Sequence, residues 1–147
     1  VSGPDQNVMF TGDIVEYNSA CYCGDGYFND WPSTLDNIRK WNLDAIAPGR
    51  GNALLGKNQV EAALDCTQDF VESTYRSVEK VAVQGGSLKD AMTECRAACD
   101  SKFNHFAIYE HCLPFNVSRA FDEAMNIKNP RIWTAQRDKD LWEALQK

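Results

Sequence analysis

The chain has 147 residues, 44% hydrophobic and 24% charged, which fits one domain with a buried core. Its formal net charge of −6 argues against the clustered basic face that nucleic acids require and against an anionic membrane surface as partner. No apolar stretch approaches the roughly 20 residues that span a bilayer. The first elements are short. Val8-Met9-Phe10 reads as a strand closed by the turn Thr11-Gly12-Asp13, and residues 13–17 as a continuing hairpin. Cys23-Gly24-Asp25-Gly26 is a turn, because glycine supplies positive φ and aspartate caps its own turn. Ser33 is placed to cap a short helix over 33–41, with Asp36 as its acidic partner and Leu35, Ile38 and Trp41 on one face. Asp44-Ala45-Ile46-Ala47 is a second strand-like segment, closed by Pro48-Gly49-Arg50-Gly51.

Beyond Gly51 the pattern becomes helical. Residues 58–61 have cap chemistry, and Val60, Ala63, Leu64, Val71, Tyr75, Val78 and Ala82 follow a helical stripe until Gly85-Gly86 stops it. Ser87 with Asp90 opens the next helix, carrying Leu88, Ala91, Met92, Cys95, Ala98 and Cys99. His105 belongs to the surface or to a helix end, and residues 109–115 read as a buried loop plugging the core with Leu113 and Phe115. A third helical piece covers 118–125 and presents Arg119, Asp122 and Glu123 as a charged surface. Asn129-Pro130 breaks the chain, and Thr134 caps a last helix holding Leu141, Trp142 and Leu145, with Trp133 and Trp142 packing on the body. The expected fold class is α/β, in one domain, with strands and site turns in 1–51 and mainly helices in 52–147.

Six cysteines (Cys21, Cys23, Cys66, Cys95, Cys99 and Cys112) invite a disulfide reading. A chain this long does not need such staples, and Cys66, Cys95 and Cys99 sit on apolar helical faces, where cysteine acts as a small hydrophobe. Cys21-Tyr22-Cys23 has a one-residue spacer rather than the two-residue spacer of thioredoxin-like or zinc-ribbon sites. Asn116-Val117-Ser118 fits a glycosylation sequon, accidental without a secretory context. The chain opens at Val1 rather than methionine, so a missing targeting signal carries little weight. The acidic balance and reduced-looking cysteines lean cytoplasmic.

Three residues are singled out for chemistry. Asp13, placed after a strand by a glycine, suits metal coordination or general-base work; the alternative is a turn aspartate that binds nearby backbone N–H groups. Arg50, exposed between two glycines, can bind a carboxylate or phosphate in bidentate fashion; the alternative is a salt bridge to a neighbouring acid. His111, with Glu110 and Cys112, can supply a ligand or a thiolate–imidazole pair; the alternative is the core-plugging loop.

In order and spacing, Phe10-Thr11-Gly12-Asp13, Trp31-Pro32-Ser33-Thr34-Leu35-Asp36 and Pro48-Gly49-Arg50-Gly51 resemble the C-terminal half of the metallo-β-lactamase fold hydrolases. The similarity covers about residues 8–51 by motif and extends less specifically through the long helices. Together with the stretches from His111 to Arg119 and from Pro130 to Ala135, it looks like one divergent branch. The resemblance implies an αβ/βα sandwich about twice this length, of which this chain is the C-terminal part. It implies that Asp13 bridges two metal ions, zinc or else iron or manganese, which activate a water for attack on a carbonyl. In the family the second turn usually reads Pro-Gly-His-Gly, and its histidine binds the second metal. Arginine offers only donors and cannot be a ligand. The family's His-x-His-x-Asp-His loop is absent from this chain. Asp13 and His111 fall short of the three or four ligands a zinc site needs.

The resemblance therefore predicts the C-terminal part of a metal-dependent hydrolase for a small ester, thioester or lactone, with Asp13 catalytic and metal-binding, His111 a further ligand and Arg50 orienting an anionic substrate group. Alone, the chain is expected to hold no catalytic metal and to show no hydrolase activity. Half a sandwich leaves an apolar sheet face and an unpaired edge, so a homo-oligomer or element-swapped dimer is expected. The competing readings are a degenerate, non-catalytic binding or assembly module and an unrelated helical interaction domain.

Overall fold

The computed structural model describes residues 7–146; Val1 lies outside them. The architecture is mixed α/β. Strand β1 (Val8–Gly12) leads to helix α1 (Trp31–Arg39), then to β2 (Ala45–Pro48) and β3 (Leu54–Leu55). Helices α2 (Lys57–Ala82), α3 (Leu88–Phe103), α4 (Tyr109–Ala124) and α5 (Ala135–Gln146) follow. The strand order is β1-β2-β3, with β1 and β2 parallel and β3 antiparallel to β2.

This pairing corrects the hairpin expected over 13–17. Because β2 runs parallel to β1, the chain must leave β1 and cross over, and it does so through α1. Residues 13–17 form turns instead, opened by the Ile14 N–H donating to the Thr11 carbonyl at 3.3 Å. Helix α1 also begins earlier than its sequence suggests. Asp30 precedes it, Pro32 occupies its first turn, and Ser33 Oγ donates to the Asp30 carbonyl at 2.8 Å. Leu35 and Ile38 are buried as expected, whereas Trp41 lies beyond the helix end and is 58% exposed.

The sheet's inner face, with Met9, Ile46 and Leu54 in register, packs on Leu35, Ile38, Val60, Ala63 and Leu64. Its outer face leaves Phe10 and Leu55 70% and 69% exposed. A second cluster is mainly helical, with Cys21, Cys23 and Phe28 of the loop before α1 packed into it. Phe70, Val71 and Val78 of α2 meet Ala91, Cys95, Cys99 and Phe103 of α3 and Cys112, Leu113 and Val117 of α4. Helix α2 serves both clusters, since 26 residues span about 39 Å at 1.5 Å per residue. Its expected stripe is the observed one, with only Tyr75 partly open. Ser87 and Asp90 form a reciprocal capping box on α3, and Thr134 Oγ1 accepts the Arg137 N–H at 3.2 Å ahead of α5. All six cysteines are free; Cys95 and Cys99 are buried, and Cys66 is half-buried.

Two further expectations are overturned. Residues 109–115 are not a loop but the first turns of α4, with Pro114 inside the helix. Arg119, Asp122 and Glu123 are not a charged surface. Arg119 is fully buried and Asp122 is 5% exposed. Arg119 donates from Nε to the Gly26 carbonyl at 2.8 Å, from Nη1 to Ile127 at 3.1 Å and from Nη2 to Lys128 at 3.0 Å. Asn116 of the sequon is buried as well, accepting from the Cys23 N–H and donating to the Cys21 carbonyl.

Candidate functional site at the strand ends

Parallel pairing of β1 and β2 brings the two glycine turns side by side at the strands' carboxyl ends, where open α/β sheets gather ligands. The turns are stitched together by backbone. The Gly49 N–H donates to the Gly12 carbonyl at 2.9 Å and lies 3.3 Å from that of Val15. Thr11 Oγ1 lies 3.3 Å from the carbonyls of both Val15 and Ala47 and donates its single proton to one at a time. Both glycines around Arg50 are required. A Cβ on Gly49 would sit 2.6 Å from the Gly12 carbonyl oxygen, and Gly51 has φ +98 with the Tyr17 carbonyl oxygen 2.5 Å from where a Cβ would be. The Gly-Arg-Gly pattern thus pushes the strand turns into contact and projects the one side chain between them.

That side chain meets two acids. Arg50 Nη1 lies 3.2 Å from Asp13 Oδ1 and 2.6 Å from Glu16 Oε1. The Glu16 side chain is fully buried, Arg50 is 41% exposed and Asp13 is 65% exposed. Glu16 is anchored from below by α2: Thr67 Oγ1 donates to its carbonyl at 3.0 Å and accepts its N–H at 3.3 Å. Glu16 Oε2 is sealed from solvent with no hydrogen-bond partner among the described residues. Burial pushes the Glu16 carboxyl above its usual 4.5, and Arg50 pulls it only part of the way back. The same burial raises the nearby Cys21 and Cys112 thiols, so neither is an activated nucleophile.

Two cavities flank the Asp13–Arg50 pair. On the Asp13 side, a hollow of about 360 Å³ is walled by Asp13, Asp25, Asp30, Tyr22, Tyr27 and Trp31. The Trp31 indole N–H donates to the Ile14 carbonyl at 3.0 Å, tying α1 to the turn that carries Asp13. On the Arg50 side, a hollow of about 510 Å³ is lined by Arg50 and uncharged polar groups, among them Asn18, Ser19, Asn52 and Gln59.

The sequence therefore finds two of the three members of this triad. Asp13 and Arg50 are brought together, in the salt bridge given above as the alternative for Arg50. Glu16 is missed, although the acid three residues after Asp13 was in plain view. His111 sits exposed in the first turn of α4, its ring tilted on Phe115 with centroids 5.8 Å apart, and no hydrogen bond joins it to Asp13 or Arg50 among the described residues. The donor set does not by itself fit a metal. Among the described residues no group of three or more His, Cys, Asp or Glu could hold one, and the charge nearest Asp13 is a guanidinium. Among the same residues no helix is long and apolar enough to cross a membrane.

No family model matches the chain, and no curated protein matches it.

Proposed function

We propose that this chain is the C-terminal part of a metal-dependent hydrolase of the metallo-β-lactamase superfamily, acting on a small ester, thioester or lactone. The observation that carries this reading is the meeting of Asp13 and Arg50 at the carboxyl ends of two parallel strands, each presented by its own glycine turn. Asp13 engages Arg50 through Oδ1 and stays 65% exposed, so it keeps an oxygen for a ligand. The other ligands of such a centre would come from residues outside this chain. The exposed Phe10 and Leu55 suit the reading, because the family's sandwich covers that sheet face. Without such a cover the face favours a homo-oligomer or swapped dimer.

A specific observation favours a second reading. Arg50 holds Asp13 and Glu16 with one nitrogen, which places a fixed positive charge where the family has a ligand. On that reading the chain is a degenerate, non-catalytic hydrolase-like module. Elemental mass spectrometry on the protein expressed from its natural start codon separates the two. One or two equivalents of zinc, iron or manganese, lost in Asp13→Ala, supports the hydrolase. Metal-free protein supports the degenerate module, and metal binding gained without activity in Arg50→His would mark the site as a relic.

A further inference from the structure

The guanidinium of Arg50 is only half used. Both acids bond Nη1, while Nη2 and Nε have no hydrogen-bond partner among the described residues. Arg50 lines the 510 Å³ cavity, and neither acid does. Gln59, on the same wall, has a settled orientation: its Oε1 accepts the Leu55 N–H at 3.0 Å, which leaves the Nε2 amide as donor. The intervening loop adds more donors. The N–H groups of Gly51, Asn52 and Ala53 make no hydrogen bond among the described residues, and all three residues line the cavity. Gly51 has positive φ, the glycine conformation found in backbone turns whose N–H groups receive anions. The residues that line the cavity thus carry an arginine with two nitrogens unbonded among the described residues, a side-chain amide and three unbonded backbone N–H groups, and no carboxylate.

We propose that this cavity binds a small organic carboxylate, held by the Nη2/Nε edge of Arg50 and the Gln59 amide, and that the substrate or product of the site carries such a group. A carboxylate matches the planar fork of the guanidinium in bidentate fashion. The substrate clause rests on the hydrolase reading above; the binding clause does not. Two features make Arg50 a stiff receptor. Glu16, buried and fixed to α2 through Thr67, holds Nη1 in place, and Gly49 and Gly51 set the backbone that carries the side chain. A pre-positioned donor loses less entropy on binding than a mobile surface arginine.

The test is a titration of the full chain with sodium benzoate, followed by ¹⁵N–¹H NMR, with benzyl alcohol and inorganic phosphate as counter-probes. The expected result is a saturable shift of the Arg50 Nε–H, the Gln59 side-chain amide and the 51–53 backbone amides. Affinity should fall about tenfold or more in Arg50→Met and at least about threefold in Gln59→Leu, as loss of a charge-assisted and a neutral hydrogen bond respectively. Gln59 is exposed, so its variant tests the cavity even if Arg50→Met does not fold. The proposal is overturned if no saturation occurs by tens of millimolar, if benzyl alcohol or phosphate binds as well as benzoate, or if the shifts persist unchanged in Gln59→Leu. Benzoate binding in a protein whose natural-start form holds no metal would keep the carboxylate site and remove the hydrolase reading. Metal without benzoate binding would do the reverse.

Discussion

Arg119 and Arg50 each bind carboxylates, yet their surroundings differ at every point. Arg119 is fully buried; its Nε, Nη1 and Nη2 reach three carbonyls, and Nη2 also meets Glu123 Oε2 at 2.9 Å. Glu123 is satisfied in turn by the N–H groups of Phe28 and Asn29 and the Asn29 side chain. Among the described residues Arg50 leaves two nitrogens open, and its buried partner Glu16 keeps an oxygen without a partner. Buried polar networks are either complete, and then they specify the fold, or incomplete, and then they cost stability that something else must justify. The Arg119 node ties α4 to the 26–29 loop and to the segment after the helix, and it is closed to any ligand. The Arg50 node is open on the side where a cavity lies.

The largest effect should come from the closed node. Arg119→Met takes the cation from the largely buried Glu123 carboxylate and the donor from three carbonyls, a loss of about 3–5 kcal/mol for a broken buried pair. For a chain of this size that lowers Tm by on the order of 10 °C. Calorimetry that finds Arg119→Met within a degree or two of the parent would break the comparison, because it would mean that burial of this arginine carries no structural weight.

Next comes Arg50→Met. It leaves Glu16 buried and uncompensated, which costs about 3 kcal/mol, the low end for such pairs, because Glu16 can take up a proton. Adding Glu16→Gln removes the stranded charge, so the double variant should recover about 1–2 kcal/mol of that loss. Denaturant unfolding of the four-member cycle measures the coupling. Strict additivity would show that the 2.6 Å contact is energetically idle.

How much of this was legible in the sequence follows from the range of the forces involved. The α2 stripe and the Ser87–Asp90 box are local patterns, a helical period and a three-residue reciprocal bond, and both stand as read. Asp13 and Arg50 could be paired because each is set by its own adjacent glycine. The residue Glu16 is plain in the sequence but its role is not, because that role depends on an arginine 34 residues away and on burial beneath Thr67. Arg119 was misread for the same reason: an arginine on a helix reads as solvated unless carbonyls from distant segments are known to converge on it. The first half of α4 was hidden by Pro114, a residue that normally ends helices, and by Ile108, whose left-handed backbone (φ 55) in front of the helix no propensity would suggest.

The pH dependence of stability also separates the two nodes. Glu16 has its folded-state pKa raised above 4.5 by burial, so the folded chain holds this proton more tightly than the unfolded chain. Its contribution is fully present below about 4.5 and is lost as pH rises through the folded value. Glu110, lowered by its bidentate partner Arg96, works in the opposite sense: its contribution is present at higher pH and is lost as pH falls. The informative quantity is therefore the difference between parent and Glu16→Gln, measured from pH 4 to 8. The parent should lose stability relative to the variant as pH rises through the lower part of that range. A difference that is flat, or that slopes the other way, would mean that Arg50 compensates Glu16 in full and that the node is as closed as that of Arg119.

The smallest effect should be at Asp13. Its pair with Arg50 is 3.2 Å long and lies mostly in solvent, and exposed pairs of this kind contribute about 0–1 kcal/mol. Arg50 retains Glu16 when Asp13 becomes asparagine, so no buried charge is stranded. Asp13→Asn should leave the unfolding midpoint nearly unchanged, and thermal melts beside those of Arg50→Met would show it. A loss above about 2 kcal/mol would make Asp13 a structural member of the node and remove the reason to treat it as a site residue. If instead the midpoint holds, the carboxylate that the glycine turn presents at the strand end contributes nothing that folding requires. Its position beside a half-used guanidinium and between two cavities then points to a ligand as the reason for it.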